Sequence, residues 1–215
     1  MTKSEIRSFV KGLVRGISVE ERTRFSEALK EEVVGLECWR SAKEVMLFFS
    51  LPDEVDMLPL IRAALAEQKR IYLPRVIATQ VSRGVDVCEV AEGNTLPKES
   101  TLPAGNTVSC EEMILEVREL APGQLAPGRW GIWEPTDEAP LLSDYSRLDL
   151  VVVPGVAFSS DGKRLGRGKS FYDRFLPLVP RAAFVGVCYP CQVVEQIPAD
   201  PWDIGMDIVC CGKKR

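Results

Sequence analysis

Apolar residues at the start of the chain recur with the period of an α-helix. In residues 3–15 they fall on one face of a helix. Ser18 and Glu21 then have the spacing of a capping box, and the residues after them carry a second apolar stripe that includes Leu29 and Val33. The pattern therefore predicts that two amphipathic helices open the fold.

Beyond these helices the apolar residues form short, uninterrupted runs, which are typical of buried strands. The predicted strands are 45–49, 71–73, 148–153, 184–188 and 208–211, with helices at about 57–67 and 170–176. Pro74 is predicted to end the second strand. Apolar strands that alternate with helices indicate a parallel sheet, whose ligands bind in the loops after the strands.

The whole chain, residues 1–215, is predicted to form a single α/β domain. It should have three layers, with a mostly parallel central sheet and helices on both faces. The stretch 76–145 is richer in Gly, Pro, Ser and Thr, and it is predicted to form hairpins and long loops within this domain. The binding site is expected in the loops after Phe49 and Val153.

Composition narrows the chemistry that such a domain could perform. The chain has 215 residues and a formal charge of −4, and it contains no histidine. This excludes catalytic sets and metal sites that depend on imidazole, and leaves carboxylates, Lys, Arg, backbone N–H groups or a bound metal. Because there is no cluster of basic residues like that of nucleic-acid-binding proteins, we predict a small-molecule ligand and no nucleic-acid partner.

Targeting signals and cysteines give weaker indications. The first residues are charged, and no apolar run is long enough to span a membrane, so we predict a cytoplasmic protein with no membrane partner. The predicted oligomeric state is a monomer or weak dimer. Four of the seven cysteines, Cys188, Cys191, Cys210 and Cys211, could in principle hold zinc. Their spacing is atypical of structural zinc sites, and buried thiols are the favoured interpretation.

The most informative stretch is a glycine-rich, cationic loop after the strand at 148–153. Arg164, Arg167 and Lys169 alternate with Gly166 and Gly168 just before a predicted helix. Glycines allow close approach to a phosphate chain, and the cations and backbone N–H groups favour anions, so a polyphosphate ligand is predicted. A solvated basic turn is the alternative.

Two further features refine the interpretation of this loop. Gly168-Lys169-Ser170 matches the end of a P-loop, but Lys163 stands where its first glycine belongs, so the spacing excludes that motif. Asp173 falls in the first turn of the predicted helix. A carboxylate there could hold Mg²⁺ against phosphate oxygens.

The sequence RLGRGKSFYDRFL resembles the signature of the 5-formyltetrahydrofolate cyclo-ligase family, R-L-G-x-G-x-G-Y-Y-D. Five more segments agree with that family in order: the N-terminal K-x-x-[LI]-R pattern, FFSLPDEVD, KRIYLP, GIWEP and VPGVAF. The resemblance covers nearly the full length of the chain. Several separate motifs in register are far more specific than one glycine loop.

The resemblance implies an enzyme that uses ATP and Mg²⁺ to convert 5-formyltetrahydrofolate into 5,10-methenyltetrahydrofolate, ADP and phosphate. A formamide oxygen leaves poorly, whereas its phosphorylated form departs as phosphate. Such a reaction asks the protein mainly to position two substrates and to neutralise charge, which suits a site without histidine. A paralogue that binds nucleotide without this activity is the alternative.

Residue roles carried over from the family are predictions for this chain. ATP contacts are implied for Lys3, Ser4, Glu5, Ile6, Arg7, Arg164, Leu165, Gly166, Arg167, Gly168, Lys169, Ser170, Phe171 and Tyr172. Folate contacts are implied for Phe49, Glu54, Trp130, Arg167, Gly168, Lys169, Ser170 and Phe171. Arg167 and Lys169 are the predicted catalytic residues. Asp173 and Asp203 are the predicted Mg²⁺ ligands, with Asp207 as an alternative to Asp203.

Two residues of the loop depart from the family pattern. Ser170 and Phe171 stand where the family usually has Gly and Tyr. Ser170 adds a Cβ at a point where glycine could take a positive φ, and Phe171 lacks a hydroxyl. Altered affinity for phosphate or folate is therefore expected.

Overall fold

A computed structural model describes residues 1–84, 107–128 and 131–212, with the side chains of 80–84 and 107–111 left out of the description. Its contacts divide the chain into two compact units. The larger unit comprises residues 1–75 and 115–215, and the smaller comprises 76–114. The predicted α/β fold is confirmed, whereas the assignment of residues 1–215 to one domain stays a prediction.

The described residues form five α-helices, and all but the short third one, which was not predicted, begin and end close to the predicted positions. They are α1 (Lys3–Arg15), α2 (Val19–Val34), α3 (Glu37–Ser41), α4 (Leu58–Ala66) and α5 (Phe171–Phe175). Ser18 and Glu21 form the predicted capping box of α2, and Thr2 forms another with Glu5 at the start of α1. Among the described residues, no helix combines the length and the apolar character needed to cross a bilayer.

Most strands belong to one sheet of six, in the order β11-β9-β6-β1-β2-β3. The strands of the described residues are β1 (Glu44–Met46), β2 (Arg70–Gly84), β3 (Thr107–Glu119), β4 (Leu125–Pro127), β5 (Trp133–Pro135), β6 (Leu150–Pro154), β7 (Ala157–Ser159), β8 (Arg164–Leu165), β9 (Ala183–Val187), β10 (Val193–Val194) and β11 (Ile208–Cys210). The five strands from β11 to β2 pair in parallel. The loops after β1 and β6 therefore leave the sheet at the same edge.

Strand β6 shows why the sheet is covered on both faces. Leu150 and Val152 pack into a hydrophobic cluster with residues of α1, α2 and α4. Val151 and Val153 pack into a second cluster with Phe175 of α5. All four strand residues are completely buried, and burial of such a side chain stabilises a fold by about 1.5–3 kcal/mol. The three-layer prediction is confirmed by these two clusters.

The prediction that Pro74 ends the second strand is wrong. Strand β2 continues through Pro74 to Gly84. Arg70 N donates to Lys43 O, and Leu47 N donates to Tyr72 O, so alternate residues of β2 hydrogen-bond towards β1. Pro74 is next in that series, but the paired residues of the two strands end at Met46 and Tyr72, so the missing N–H of Pro74 falls outside this ladder.

The stretch 76–145 contains both predicted and unpredicted structure. Strands β4 and β5 form an antiparallel pair, which confirms a hairpin there. The outer parts of β2 and β3 make up most of what is described in the smaller unit, and they are longer than the loop-rich composition suggests. The sequence of this stretch also has one piece with alternating character, at Val85, Val87 and Glu89, but these residues lie outside the described part of the chain.

Candidate functional site

The glycine loop, residues 164–170, follows a tight reversal of the chain between β7 and β8. Gly162 forms this reversal with a φ of +83°, and a Cβ there would lie 2.4 Å from Met206 O, so only glycine fits. Gly168 and Ser170 also adopt left-handed backbone conformations, with φ of +90° and +51°. The expectation that position 170 needs a positive φ is therefore confirmed, although a serine stands there.

Helix α1 brings one of its two predicted ATP-binding cations, Arg7, into contact with this loop. Arg7 Nε donates a hydrogen bond of 2.8 Å to Gly166 O. Lys3, four residues earlier and on the same face of α1, pairs with Asp200 at 2.7 Å and Asp203 at 2.5 Å. The fold thus joins two basic segments that are separated by about 160 residues in the sequence.

Arg167 connects the glycine loop to the turn after β1. Its Nη1 and Nη2 bind the two carboxylate oxygens of Asp53 at 3.1 and 2.6 Å. Its Nε and Nη2 also donate to Glu54 Oε1, at 3.2 and 3.0 Å. Predicted phosphate-binding and folate-binding residues are thus in direct contact.

The two carboxylates on Arg167 differ in environment. Glu54 is almost fully buried, and burial raises its pKa even though the Leu51 N–H and Arg167 stabilise the charged form. Burial also opposes ionisation of Asp53, but the hydrogen bonds and charge of Arg167 outweigh it and lower the pKa of Asp53. No local signal in the sequence marks Asp53 as a partner of Arg167.

Arg164 lies beneath the loop, and its side chain is only 3% exposed. Its Nη2 pairs with Asp173 Oδ1 at 2.6 Å, and its guanidinium carbon lies 5.6 Å from the centre of the Tyr172 ring. Nε has no hydrogen-bond partner among the described residues. Arg164 therefore holds the base of the loop to α5, where burial raises the pKa of Tyr172 above its ordinary value.

A cavity of about 490 Å³ opens beside the same turn. It is lined by Phe49, Ser50, Asp56, Leu58, Leu125, Gly131, Ile132 and Trp133. Phe49 is a predicted folate contact, whereas Leu58 and Trp133 were not singled out in the sequence. The exposure of two large apolar side chains, 43% for Leu58 and 53% for Trp133, is the feature that marks them. Trp130 lies outside the described residues.

The model of the 5-formyltetrahydrofolate cyclo-ligase family matches residues 1–212. The chain belongs to this family. It is 32% identical to Aquifex aeolicus 5,10-methenyltetrahydrofolate synthetase, known by NMR, with a TM-score of 0.73 over 100% of this chain and 91% of the other. It is 26% identical to the Haemophilus influenzae 5-formyltetrahydrofolate cyclo-ligase, over 98% of this chain and 97% of that protein. The mouse enzyme of the same name is 28% identical, over 96% of this chain and 92% of that protein.

Within this cyclo-ligase chain, the other predicted ATP contacts fall into two groups. Ile6 and Leu165 are buried in the core, and Glu5 caps its own helix by accepting from Thr2 N, so these residues shape the site. Ser4, Gly168, Lys169 and Ser170 are exposed. Lys169 makes no ion pair within the part of the chain that the structure describes, so its charge is available to a ligand. Phe171 packs 5.7 Å from the guanidinium of Arg174.

The residues predicted to hold Mg²⁺ in this cyclo-ligase both face cations. Asp173 pairs with Arg164, and Asp203 accepts from Lys3. Burial opposes ionisation of Asp203, but the hydrogen bond and charge of Lys3, with the charge of Arg164, lower its pKa. Asp207 instead accepts from Phe184 N at 2.7 Å, away from this group of charges. Asp203 is thus the better placed of the two alternatives.

Two carboxylates near a cationic loop suit Mg²⁺, which proteins usually bind through one or two carboxylates together with substrate phosphates. A complete metal site is not prebuilt: within the described ranges, no three Cys, His, Asp or Glu side chains are grouped to hold an ion. The same observation weighs against the zinc alternative for the cysteines. Burial raises the pKa of the Cys188 thiol well above its ordinary value, which fits a buried apolar role.

Proposed function

We propose that the protein converts 5-formyltetrahydrofolate into 5,10-methenyltetrahydrofolate in an ATP- and Mg²⁺-dependent reaction that releases ADP and phosphate. The formyl oxygen attacks the γ-phosphorus of ATP, and ADP leaves. The neighbouring N10 amine then attacks the activated carbon and loses its proton to solvent, and the oxygen departs as phosphate. The difficult departure of a formamide oxygen is thereby replaced by that of a good leaving group.

The observation that carries this proposal is the meeting of three segments at the glycine loop. Arg7 reaches the loop from α1, Lys169 projects from the loop itself, and Arg167 contacts the turn that carries Glu54. A triphosphate on the loop would therefore lie next to a folate held at that turn. Positioning of two substrates and neutralisation of charge are the main contributions that phosphoryl transfer requires of a protein.

Within this proposal, Arg167 and Lys169 neutralise charge on the phosphoryl group that is transferred. Lys3 and Arg7 bind the nucleotide, and Asp173 and Asp203 hold Mg²⁺. Bound Mg²⁺ would supply charge neutralisation and orientation of the phosphate oxygens. Lys3 stabilises the ionised form of Asp203, the form that would accept the ion, and Asp173 lies beside Arg164 at the base of the loop.

The apolar cavity beside Phe49 is the proposed site of the pterin ring. Its aromatic and aliphatic walls suit a flat heteroaromatic ring, and Asp56 supplies one polar group at its edge. Glu54 could accept paired hydrogen bonds from the pterin amino and ring N–H groups. The contact of Glu54 with Arg167 would keep the folate close to the glycine loop.

The decisive experiment follows formation of the methenyl product through its near-ultraviolet absorbance. Product should appear only when Mg²⁺ and ATP are both present. Lys169→Ala should lower turnover by about 10²-fold or more, because it removes a charge that acts on the transferred phosphoryl group. Lys163→Ala is the matched control, since Lys163 is an exposed lysine that pairs with Asp161. Absence of product at high enzyme concentration would defeat the proposal.

One observation favours a second candidate function, a nucleotide-binding paralogue without turnover. Ser170 occupies a left-handed position at which the family usually has glycine, so the loop carries strain and an extra side chain where phosphate would bind. Calorimetric binding of ATP without product formation would select this candidate. Recovery of activity in Ser170→Gly would identify the serine as the cause.

A further inference from the structure

We infer that Asp53 competes with an anionic substrate group for Arg167, because its carboxylate occupies the edge of the guanidinium that such a group must bind. The inference rests on the proposed function, because it assumes that Arg167 meets phosphate during the reaction. Asp53 would then help to set the affinity of the glycine loop for anions.

The geometry of the pair supports a competitive role. Asp53 binds both terminal nitrogens of Arg167, at 3.1 and 2.6 Å, which is the two-point arrangement that arginine also forms with phosphate. A phosphate that approached the same edge would meet donors already engaged by a carboxylate. One of the two anions must therefore leave.

Asp53 is the carboxylate that can leave. Its side chain is 37% exposed, whereas that of Glu54 is 9% exposed. Glu54 is further anchored because its Oε2 accepts from Leu51 N at 3.0 Å and its backbone carbonyl accepts from Tyr189 Oη at 2.9 Å. Displacement of Asp53 would leave Arg167 still held to the folate turn through Glu54.

The surroundings also provide for the released carboxylate. Asp53 and Arg167 line a small cavity of about 180 Å³ together with Arg7 and Lys11 of α1. The positive charge of Lys11 favours the ionised form of Asp53. After displacement, Asp53 would therefore remain beside a cation and could return once the anion departs.

Because Asp53 and the ligand exchange on Arg167, the affinity of the loop for an anion is lower than it would be without Asp53. A partly exposed ion pair of this type contributes between about zero and 1 kcal/mol, so the competition should weaken anion binding by up to about fivefold. That is enough to speed release of an anionic product without preventing binding. Removal of the Asp53 charge should therefore tighten anion binding.

The test measures binding of inorganic tripolyphosphate by calorimetry in the full chain, without folate. Asp53→Asn should bind it about two- to fivefold more tightly than the unmodified protein. Asp56→Asn removes the same charge from the same turn without a contact to Arg167, so it measures the general electrostatic gain, which should be smaller. In an Arg167→Ala background, Asp53→Asn should have no effect beyond that of Asp56→Asn.

Equal or weaker binding by Asp53→Asn would overturn the inference, and so would an undiminished gain in the Arg167→Ala background. Failure of the unmodified protein to bind tripolyphosphate would overturn it as well. The proposed reaction is judged separately by product formation. A protein that turns over normally but shows no Asp53 effect would refute the competition and leave the proposed function standing.

Discussion

Arg7 Nε donates to the backbone oxygen of Gly166 across 2.8 Å, and this hydrogen bond ties the first helix to the glycine loop. The donor is charged and its direction is fixed by the planar guanidinium, so a lysine could replace the charge but not the geometry. The site therefore depends on where α1 docks as well as on the loop itself.

Replacement of Arg7 should test this dependence. We expect Arg7→Lys to lower kcat/KM for ATP by about tenfold and Arg7→Gln by more, because hydrogen bonds to charged groups contribute about 1.5–3 kcal/mol. Steady-state kinetics with varied ATP measure the change. Arg15→Gln is the matched control, since Arg15 is exposed at the far end of the same helix. Equal effects at both positions would contradict the assigned contact.

The left-handed conformation of Ser170 predicts an uncommon result, a stabilising mutation to glycine. A non-glycine residue in this conformation costs of order 1–3 kcal/mol, and the greater chain entropy of unfolded glycine offsets about 0.5–1 kcal/mol of the gain. Ser170→Gly should thus raise the free energy of unfolding by about 1 kcal/mol in urea titrations at an unchanged m value.

A serine in regular helix provides the opposite control. Ser8 is exposed within α1, and Ser8→Gly should lower the free energy of unfolding by about 0.5 kcal/mol because glycine is the poorer helix former. If both substitutions destabilise the protein, Ser170 is not strained.

Much of this fold could be predicted from periodicity and caps, because those signals are local. The capping box joins Ser18 and Glu21, which are three residues apart, and the buried run at 150–153 consists of consecutive residues. The path of β2 through Pro74 could not be predicted in this way. It depends on where the neighbouring strand β1 ends, and nothing near Pro74 in the sequence records that.

The candidate site, too, could be predicted only as far as its signals are local in the sequence. The composition of the glycine loop and its resemblance to a family are local signals, and they predicted which residues gather there. The pairs Lys3–Asp203 and Asp53–Arg167 join residues 200 and 114 positions apart, and only the fold brings them together. Which carboxylate engages which cation was therefore beyond sequence reasoning.

The Lys3–Asp203 pair predicts an acid-sensitive contribution to stability. The pKa of Asp203 is lowered in the folded chain, so the unfolded chain takes up a proton first as the pH falls. The stabilisation is complete above the ordinary aspartate pKa of 3.8 and is lost as the pH drops through the lower folded value. Asp203→Asn should remove about 1 kcal/mol at pH 6 and progressively less below pH 4.

Urea titrations between pH 6 and pH 3 in the presence of EDTA measure this difference. Lys3→Met provides the control, because it removes the largest contribution that lowers the pKa of Asp203. In that background Asp203→Asn should have a smaller effect, which comes from the Asp200 N–H that still donates to Asp203 and from the charge of Arg164. A difference between the two proteins that grows towards low pH would contradict the assignment.

Asp173 should affect folding as well as activity. Its carboxylate compensates the charge of Arg164, which is 3% exposed, and loss of one partner of a buried pair costs about 3–5 kcal/mol. Asp173→Ala should therefore lower the unfolding midpoint in urea markedly, contrary to a purely catalytic role. Arg164→Met combined with Asp173→Ala should recover part of the loss. A fully stable single variant would show that Arg164 has other compensation.

The cavity beside Phe49 predicts a selective effect on one substrate. Trp133 is half exposed at its wall, and an aromatic side chain that stacks on a heteroaromatic ring contributes about 1–3 kcal/mol by alanine substitution. Trp133→Ala should then raise KM for the folate by about tenfold while KM for ATP stays the same, because no residue of the glycine loop lines this cavity. Leu65→Ala, an exposed apolar position on α4 outside the cavity, should change neither constant. If the Trp133 variant raised KM for ATP instead, the folate ring would have to bind elsewhere.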